Sequence, residues 1–281
     1  MGFIEAFAYV LSCEEQRRAL YSDPHRVQAH FALTEAELET LLSASAVNVD
    51  ITAELIRDKR WRLVTYVFPT VTRLLAAEGV NFNSKKYLSE VVPTVQKSDA
   101  AGLMTEATAF VEWLTLHPPN GIPAAIVDVA DHELACFRLG ANPRAAVAAR
   151  EWRENQERES VDRKRPLGFE KSLLTASLTV RTDTYRWDVV EACQGGWADI
   201  GVQSIEPRAT SILLQKVWPD VRPVISRIGA VTRSMIERSD GTCTGREIVR
   251  SVSTHASDER ILETLRALVA RGVLIPSRVL E

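Results

Sequence analysis

The chain has 281 residues, of which 46% are hydrophobic and 25% are charged, and its formal net charge is -3. These values are close to the average of soluble globular proteins, and the length favours two domains over one. The slight negative charge argues against a protein that coats nucleic acid through its overall charge, although it leaves room for a local basic surface.

The four cysteines are far apart in the sequence and include no CxxC pair. That spacing is typical of free thiols in a reducing compartment, not of a disulfide framework. The N-terminal segment lacks the basic start of a signal peptide and carries Glu5 within its apolar stretch. Because no apolar run reaches membrane-spanning length either, we expect a cytoplasmic protein without a membrane-spanning segment.

The first 150 residues show the apolar spacing of helices. Asp23 can cap a helix that begins at Pro24, and Thr34 with Glu37 forms a capping box before the next helix. Another predicted helix contains Leu63, Val64 and Val67 and ends before Pro69. Two more are predicted over residues 103–114, before the sequence "HPPN", and over Pro123–Leu139. We therefore predict a helical bundle over residues 1–150.

One helix of this bundle carries a polar stripe in the sequence "DVADHELAC". Asp128, Asp131, His132 and Cys136 lie three to five residues apart, so some of them can share a helix face and bind a metal. The alternative is a solvated or interface-facing stripe, since no HExxH or CxxC spacing accompanies them. We predict no metal ligand and no catalytic residue in this chain.

A charged segment separates the helical part from the rest. In "REWRENQERESVDRKR", residues 150–165, 11 of 16 residues are charged and both signs are mixed. This pattern is typical of a solvated helical connector, whereas a nucleic-acid-binding tail would be more purely basic. We predict a helical domain over residues 1–150, a connector over 151–167 and a second domain over 168–281.

The second domain begins with strand patterns and ends with helix patterns. "LLTASLTVRT" alternates in hydrophobicity, and "TSILLQKVW" and "VRPVIS" are short apolar runs around a turn, which predicts a sheet of about three strands. Three helices follow, the second capped by Thr244 with Glu247 and the third running from Ser257 to Gly272. The prediction is an α+β protein in which a helical bundle precedes a winged helix-turn-helix of three strands and three helices.

A winged helix binds DNA, binds a peptide or serves only for packing. The third helix carries three acidic and three basic residues, and residues 221–276 carry nine basic and six acidic ones. An excess of three dispersed charges is too small to predict phosphate binding, which argues against nucleic acid as a partner. A DNA-binding regulator remains the alternative to a peptide-binding protein. A third possibility is an enzyme, but the histidines and acidic residues form no recognisable catalytic pattern in the sequence.

The peptide alternative uses an exposed strand edge, to which an extended peptide can add as a further strand. The edge strand would be "VRPVIS", and the adjoining third helix would supply side-chain contacts. The predicted peptide-binding residues are Val221, Arg222, Val224 and Ile225 on the strand and Arg260, Glu263, Arg266 and Arg271 on the helix.

The C-terminal motifs resemble a known family. "ISRIGAVTRSMIERSDGTCTGREIV" followed by "ILETLRALVARGVLIP" resembles the PqqD-like recognition elements, which bind leader peptides of ribosomally made, post-translationally modified peptides. "RWRLVTYVFPTVTRLL", "FVEWLTLHPP", "VDVADHELACFRL", "YRWDVV" and "EPRATSILLQKV" resemble the TglI-like partner proteins encoded beside multinuclear non-haem iron oxidative enzymes. Together these motifs span most of the chain.

The resemblance implies a non-catalytic subunit of thiaglutamate-type peptide biosynthesis. Such a subunit forms a heterodimer with a TIM-barrel iron enzyme of the TglH type and captures the precursor peptide on its recognition domain. The iron then belongs to the partner enzyme, and no cofactor is expected in this chain.

The sequence "RDKRWR" is a candidate contact with the partner enzyme. Arg57, Arg60, Trp61 and Arg62 are the predicted partner-binding residues. The alternative is a solvated basic helix face, which is the commoner role of a run of charges.

Overall fold

The structure of the chain is a computed structural model that describes residues 2–77, 87–88, 90–91, 100–116, 124–161, 169–197, 202, 205–219, 221–253 and 257–277. The chain divides into two compact units, Met1–Leu134 with Trp197–Ser204 and Ala135–Gly196 with Ile205–Glu281. The protein is α+β, with helices in the N-terminal part and two small antiparallel sheets in the C-terminal part. No helix in the described ranges has both the length and the apolar composition needed to cross a membrane.

The N-terminal part is helical, as the apolar spacing predicts. Its helices are α1 (Phe3–Ser12), α2 (Glu14–Ser22), α3 (Pro24–Phe31), α4 (Glu35–Leu42), α5 (Ala46–Val67), α6 (Pro69–Ala77), α7 (Ala100–Leu116) and α8 (Ala124–Ala141). The sequence "HPPN" and Pro123, which were expected to end α7 and begin α8, lie outside the described residues.

Local capping sets several of these helix starts. The Asp23 side chain accepts a hydrogen bond from the Arg26 amide, with Pro24 at the first position of α3. At α4 the capping box is complete, because Thr34 Oγ1 accepts from the Glu37 amide and Glu37 Oε2 accepts from the Thr34 amide at 2.8 Å. Both starts confirm the sequence-based predictions.

The start of α6 is capped from another helix. Glu133, a buried residue of α8, accepts hydrogen bonds from the amides of Thr70 at 2.9 Å and Val71 at 3.2 Å. The first amides of a helix lack intrahelical partners, so a carboxylate there satisfies two of them and also meets the positive end of the helix dipole. Glu133 therefore has a structural role that local spacing did not predict.

The second unit contains α9 (Pro143–Val161), a short 3-10 helix (Phe169–Lys171) and six strands. The strands are β1 (Leu173–Ala176), β2 (Val180–Tyr185), β3 (Thr210–Gln215), β4 (Val224–Ile228), β5 (Asp240–Thr244) and β6 (Leu274–Ser277). The helices are α10 (Val189–Cys193), α11 (Ala230–Arg238), α12 (Gly245–Val252) and α13 (Asp258–Ala270). Positions 151–161 of the predicted connector belong to α9, and positions 162–167 lie outside the described residues.

The strands form two antiparallel sheets, where the sequence predicted one sheet of about three strands. One sheet has the order β5-β1-β6 and the other has the order β2-β3-β4. The predicted strand "LLTASLTVRT" is in fact two strands, because the chain turns at Ser177, whose Oγ accepts from the Thr179 amide. Such short hydroxyl-mediated turns compete with a continuous strand.

The stretch "SDGTCT" is more than the tight turn that its composition suggests. It forms β5, which pairs with β1, and Gly241 there has a φ of 93°, which a side chain would strain. The capping box of Thr244 and Glu247 then begins α12, and Ser257 precedes α13, both as predicted. Gly272 ends α13 with a φ of 70°, and a Cβ there would lie 2.3 Å from the Trp152 ring.

A single apolar cluster joins the second unit's helices to its sheets. Leu213 of β3 and Leu174 of β1 pack with the buried faces of the helices. The helix residues of this cluster are Met235, Ile236, Ile248, Val249, Val252, Ile261, Leu265, Leu268 and Val269. The cluster determines which face of β4 lies towards α13, and the candidate site includes that face.

Candidate functional site

Strand β4 is an edge strand of the second sheet. It pairs with β3 from Gln215 opposite Val224 to Ser211 opposite Ile228, and no other described strand pairs with its far side. An unpaired edge presents main-chain N–H and C=O groups that an extended chain can bind. The predicted residues Val224 and Ile225 lie on this strand, whereas Val221 and Arg222 precede it.

The two faces of β4 have different surroundings. Since side chains alternate along a strand, Val224, Ser226 and Ile228 share the face on which Leu213 meets the helices. Ile225 and Arg227 therefore lie on the opposite face. Of the two predicted residues on β4, Val224 lies on the side of α13 and Ile225 does not. Ser226 was missed, although two-residue alternation from Val224 would have found it.

A hydrogen bond links the last residue of β3, which pairs with the start of β4, to the residue that follows α13. Gln215, which is buried opposite Val224, donates from Nε2 to the main-chain oxygen of Arg271 at 2.6 Å. The bond satisfies a carbonyl in the last turn of α13, where no intrahelical donor is present. It places Arg271 beside Val224, so two of the predicted residues belong to one surface, although they are 47 positions apart in the sequence.

The predicted residues of α13 are all exposed but do not lie on one flank of the helix. Arg260 and Arg271 are eleven residues apart, which is about three helical turns and places them on the same flank. Arg266 lies roughly 120° away around the helix. It is 3.6 Å from Glu170, so it belongs to the flank facing the 3-10 helix. Glu263 projects between the two flanks.

The opposite face of β4 is held by a buried carboxylate. Asp188 accepts hydrogen bonds from Arg227 at 3.0 Å and 3.2 Å and also caps α10 through the Glu191 amide. Asp188 is buried, while Arg227 is about half exposed. This ion pair ties β4 to α10 without using the outer edge of the strand.

The connection between β3 and β4 is held against α8 and α9. Lys216 is buried and donates from Nζ to the main-chain oxygen of Gly140. The Arg153 guanidinium lies 3.3 Å from the centre of the Trp218 ring, which is the distance of a stacked cation-π pair. The connection is therefore anchored at Lys216 and at the exposed Trp218.

The predicted partner-binding residues lie on α5 and differ in exposure. Arg57 and Arg60 are buried, Trp61 is half-buried and Arg62 is exposed. The solvated basic face that the sequence offered as an alternative also requires exposed arginines. Both interpretations of "RDKRWR" therefore fit Arg62 better than Arg57 or Arg60.

Arg60 is the centre of a buried polar network. Its Nε donates to both carboxylate oxygens of Glu106 at 3.1 Å, and its terminal nitrogens donate to the main-chain oxygens of Leu88 and Val91. The Tyr87 hydroxyl donates to Glu106 at 2.6 Å. Burial first, and the Glu106 carboxylate second, raise the pKa of Tyr87 well above its usual range.

The outer face of α5, defined by Val47, Ile51, Leu55, Arg62 and Tyr66, carries four exposed apolar side chains, and the exposed Asp58 lies on the same side of the helix. The four apolar members are each more than half exposed. Their spacing of four, four, seven and four residues keeps them on one side of the helix, opposite Val49, Ala53 and Val64. Among these residues, Arg62 alone belongs to the predicted partner-binding set.

Among the described residues, no group of three or more histidines, cysteines, aspartates or glutamates is placed to hold a metal. In the stripe on α8, His132 is buried, Asp131 is exposed, and Asp128 and Cys136 are half-buried. The four cysteines of the chain form no disulfide.

The chain matches no protein-family model, and no curated protein shows significant sequence similarity to it.

Proposed function

We propose that this chain is a non-catalytic partner subunit that binds a ribosomally made precursor peptide and presents it to a multinuclear non-haem iron oxidative enzyme, as in thiaglutamate-type biosynthesis. The observation that carries the proposal is the outer edge of β4, with which no strand in the described part of the chain pairs, near the end of α13. A peptide that adds to this edge gains main-chain hydrogen bonds from β4 and side-chain contacts from Val224, Ser226 and Arg271.

The order of elements supports a winged-helix reading of the second unit. Helix α11, strand β5, helices α12 and α13 and strand β6 follow the helix-strand-helix-helix-strand order of a winged helix-turn-helix. The central strand of that small sheet is β1, which comes from upstream of the three helices. In this reading β1 takes the place of the last strand of the usual order.

That arrangement favours a peptide over DNA as the ligand. A DNA-binding winged helix uses a hairpin between its last two strands as the wing, whereas β6 and β1 are separated by almost the whole of the second unit. The segment from Ser257 to Gly272, which contains α13, has no net charge, because three acidic residues are balanced by three arginines. The β4 edge needs neither a wing nor a basic helix.

The outer face of α5 supports the proposed contact with the partner enzyme. Exposed apolar side chains in one stripe are typical of protein-protein contacts, and Arg62 adds a charge that an acidic residue of the enzyme can pair with. The occupant that we propose is the TIM-barrel iron enzyme, in a heterodimer. Bound there, the enzyme would receive the peptide at a high effective concentration.

The experiment is co-expression of the tagged chain with the open reading frames beside its gene, followed by affinity purification at moderate salt. We expect an iron-containing barrel protein in stoichiometric amount with a retained peptide, identified by mass spectrometry and metal analysis. A chain that returns alone contradicts the partner role. A chain that returns with DNA, and loses it steeply as salt rises, favours a regulator.

A further inference from the structure

The connection between β3 and β4 indicates the chemistry of the peptide ligand, an inference that rests on the proposed function. Trp218, Val221 and Val224 are 48%, 54% and 48% exposed, although all three are large and apolar. They lie within seven residues of one another at the start of the edge strand. Apolar side chains concentrated beside a free edge indicate where the ligand contributes an apolar group.

The ring of Trp218 is held in place before any ligand binds. The guanidinium of Arg153 stacks on one side of it, and the neighbouring Trp152 packs against Gly272. Helix α9 therefore supports both the β3–β4 connection and the end of α13. An aromatic side chain that is already fixed loses little conformational entropy on binding, which is why such residues dominate many binding surfaces.

Three arginines of the same region have no acidic partner among the described residues, which do not include Asp220 of this connection. Arg153, Arg222 and Arg271 form no ion pair with the described part of the chain. Arg222 is two residues before Val224. Arg271 is hydrogen-bonded to Gln215, which is the strand partner of Val224. Arginines bind carboxylates through paired hydrogen bonds, so an acidic ligand complements this surface.

We infer that the peptide bound along β4 carries an acidic side chain that pairs with Arg222 and Arg271 and, a few residues away, an aromatic or branched apolar side chain that packs on Trp218 and Val221. Because the strand-side part of this surface runs over the seven residues from Trp218 to Val224, the two side chains fall within a segment of about five to eight residues. The acidic group gives the orientation and the apolar group gives most of the buried area.

The test is a selection from a phage-displayed library of random twelve-residue peptides against the immobilised full-length protein. We expect enriched sequences to share an aspartate or glutamate and an aromatic or branched residue at a fixed spacing. Selection against the double variant Arg222→Ala with Arg271→Ala should lose the acidic preference. Selection against Trp218→Ala should lose the apolar one. Arg266→Ala, on the other flank of α13, is the matched control and should select the wild-type motif.

The enriched peptide then gives a quantitative check. Replacing its acidic residue by the amide should weaken binding to the wild-type protein about tenfold and should have little effect on binding to the double arginine variant. Enriched peptides without an acidic residue would overturn this inference and leave the proposed function standing. Enrichment of no peptide at all would overturn the proposed function, and this inference with it.

Discussion

Gln215 Nε2 lies 2.6 Å from the main-chain oxygen of Arg271, so a side chain of the central strand holds the last turn of α13 beside the start of β4. This bond links the central strand β3 to the end of the helix across 56 residues of sequence. The surface formed by Val224 and Arg271 depends on it.

Replacing Gln215 with alanine should therefore lower the stability of the second unit. The Arg271 oxygen would lose its donor in a part-buried position, and we expect the free energy of unfolding to fall by about 1–2 kcal/mol. Urea denaturation followed by circular dichroism measures this change. A variant as stable as the wild type would show that water replaces the glutamine without cost.

The binding edge is tested by Val224→Asp combined with Arg271→Glu. Both positions are exposed, so we expect the thermal midpoint to change little. Two negative charges at the proposed acidic-peptide surface should reduce peptide affinity at least tenfold, as measured by titration calorimetry.

The matched control for the edge is Arg266→Glu, which adds a negative charge on the flank of α13 that faces Glu170. It should retain peptide affinity. Equal losses in Arg266→Glu and in the edge variant would place the peptide elsewhere on α13.

Arg60→Met should destabilise the first unit strongly. The substitution removes the charged partner of Glu106, which keeps only the Tyr87 hydroxyl as a donor, and the arginine donors of two main-chain oxygens. Breaking a buried ion pair in this way costs about 3–5 kcal/mol. Chemical denaturation of Arg60→Met and of Arg62→Met, which alters an exposed arginine two positions later, makes the comparison. The Arg62 variant should stay within about 0.5 kcal/mol of the wild type.

The capping box of α12 predicts an acid-sensitive contribution to stability. Hydrogen bonds from the amide and hydroxyl of Thr244 lower the pKa of Glu247 below its ordinary value of 4.5. A carboxylate with a lowered pKa stabilises the fold above that ordinary value, and the contribution disappears as the pH falls through the lowered pKa.

Thermal denaturation of the wild type and of Glu247→Gln at pH 7, 5, 4 and 3 measures this contribution. We expect the wild type to melt higher at pH 7 and the two midpoints to converge towards pH 3. Glu263→Gln, on the exposed side of α13, serves as the control without a capping contact. A difference that stays constant with pH would rule out the carboxylate as its source.

The outer face of α5 is tested by Ile51→Glu with Leu55→Glu. Both side chains are exposed, so the fold should tolerate the charges, whereas a partner that packs on this face should be lost from the affinity purification. Ala36→Glu with Thr40→Glu adds the same charge to exposed positions of α4 and should leave the partner bound. Loss of the partner in both variants would point to charge alone.

Local signals in the sequence predicted much of the secondary structure. The capping boxes at Thr34 and Thr244 and the glycine at position 272 act within one turn of their helices, so short-range chemistry is enough to locate them. The strand edge was predicted for the same reason, since "VRPVIS" is a short apolar run bounded by turn residues.

Long-range contacts were outside the reach of such signals. Arg60 lies in a basic run that is typical of a solvated face, and its burial depends on Glu106, 46 positions later, and on the main-chain oxygens of Leu88 and Val91. The division of one predicted strand into β1 and β2 depends on pairing with β6 and β3. Trp218 was not recognised as part of the site because its contact with Arg153 joins segments 65 positions apart.

The pairing of β1 has a consequence for synthesis of the chain. β1 lies between β5 and β6 in its sheet. β6 begins at Leu274, about 100 residues after the end of β1, so the ribosome makes it much later. At ordinary rates of translation, β1 waits several seconds for both neighbours, with its own edges open to other chains. Nascent-chain aggregation, and protection by chaperones, should therefore depend on the four residues of β1 more than on any helix of the first unit.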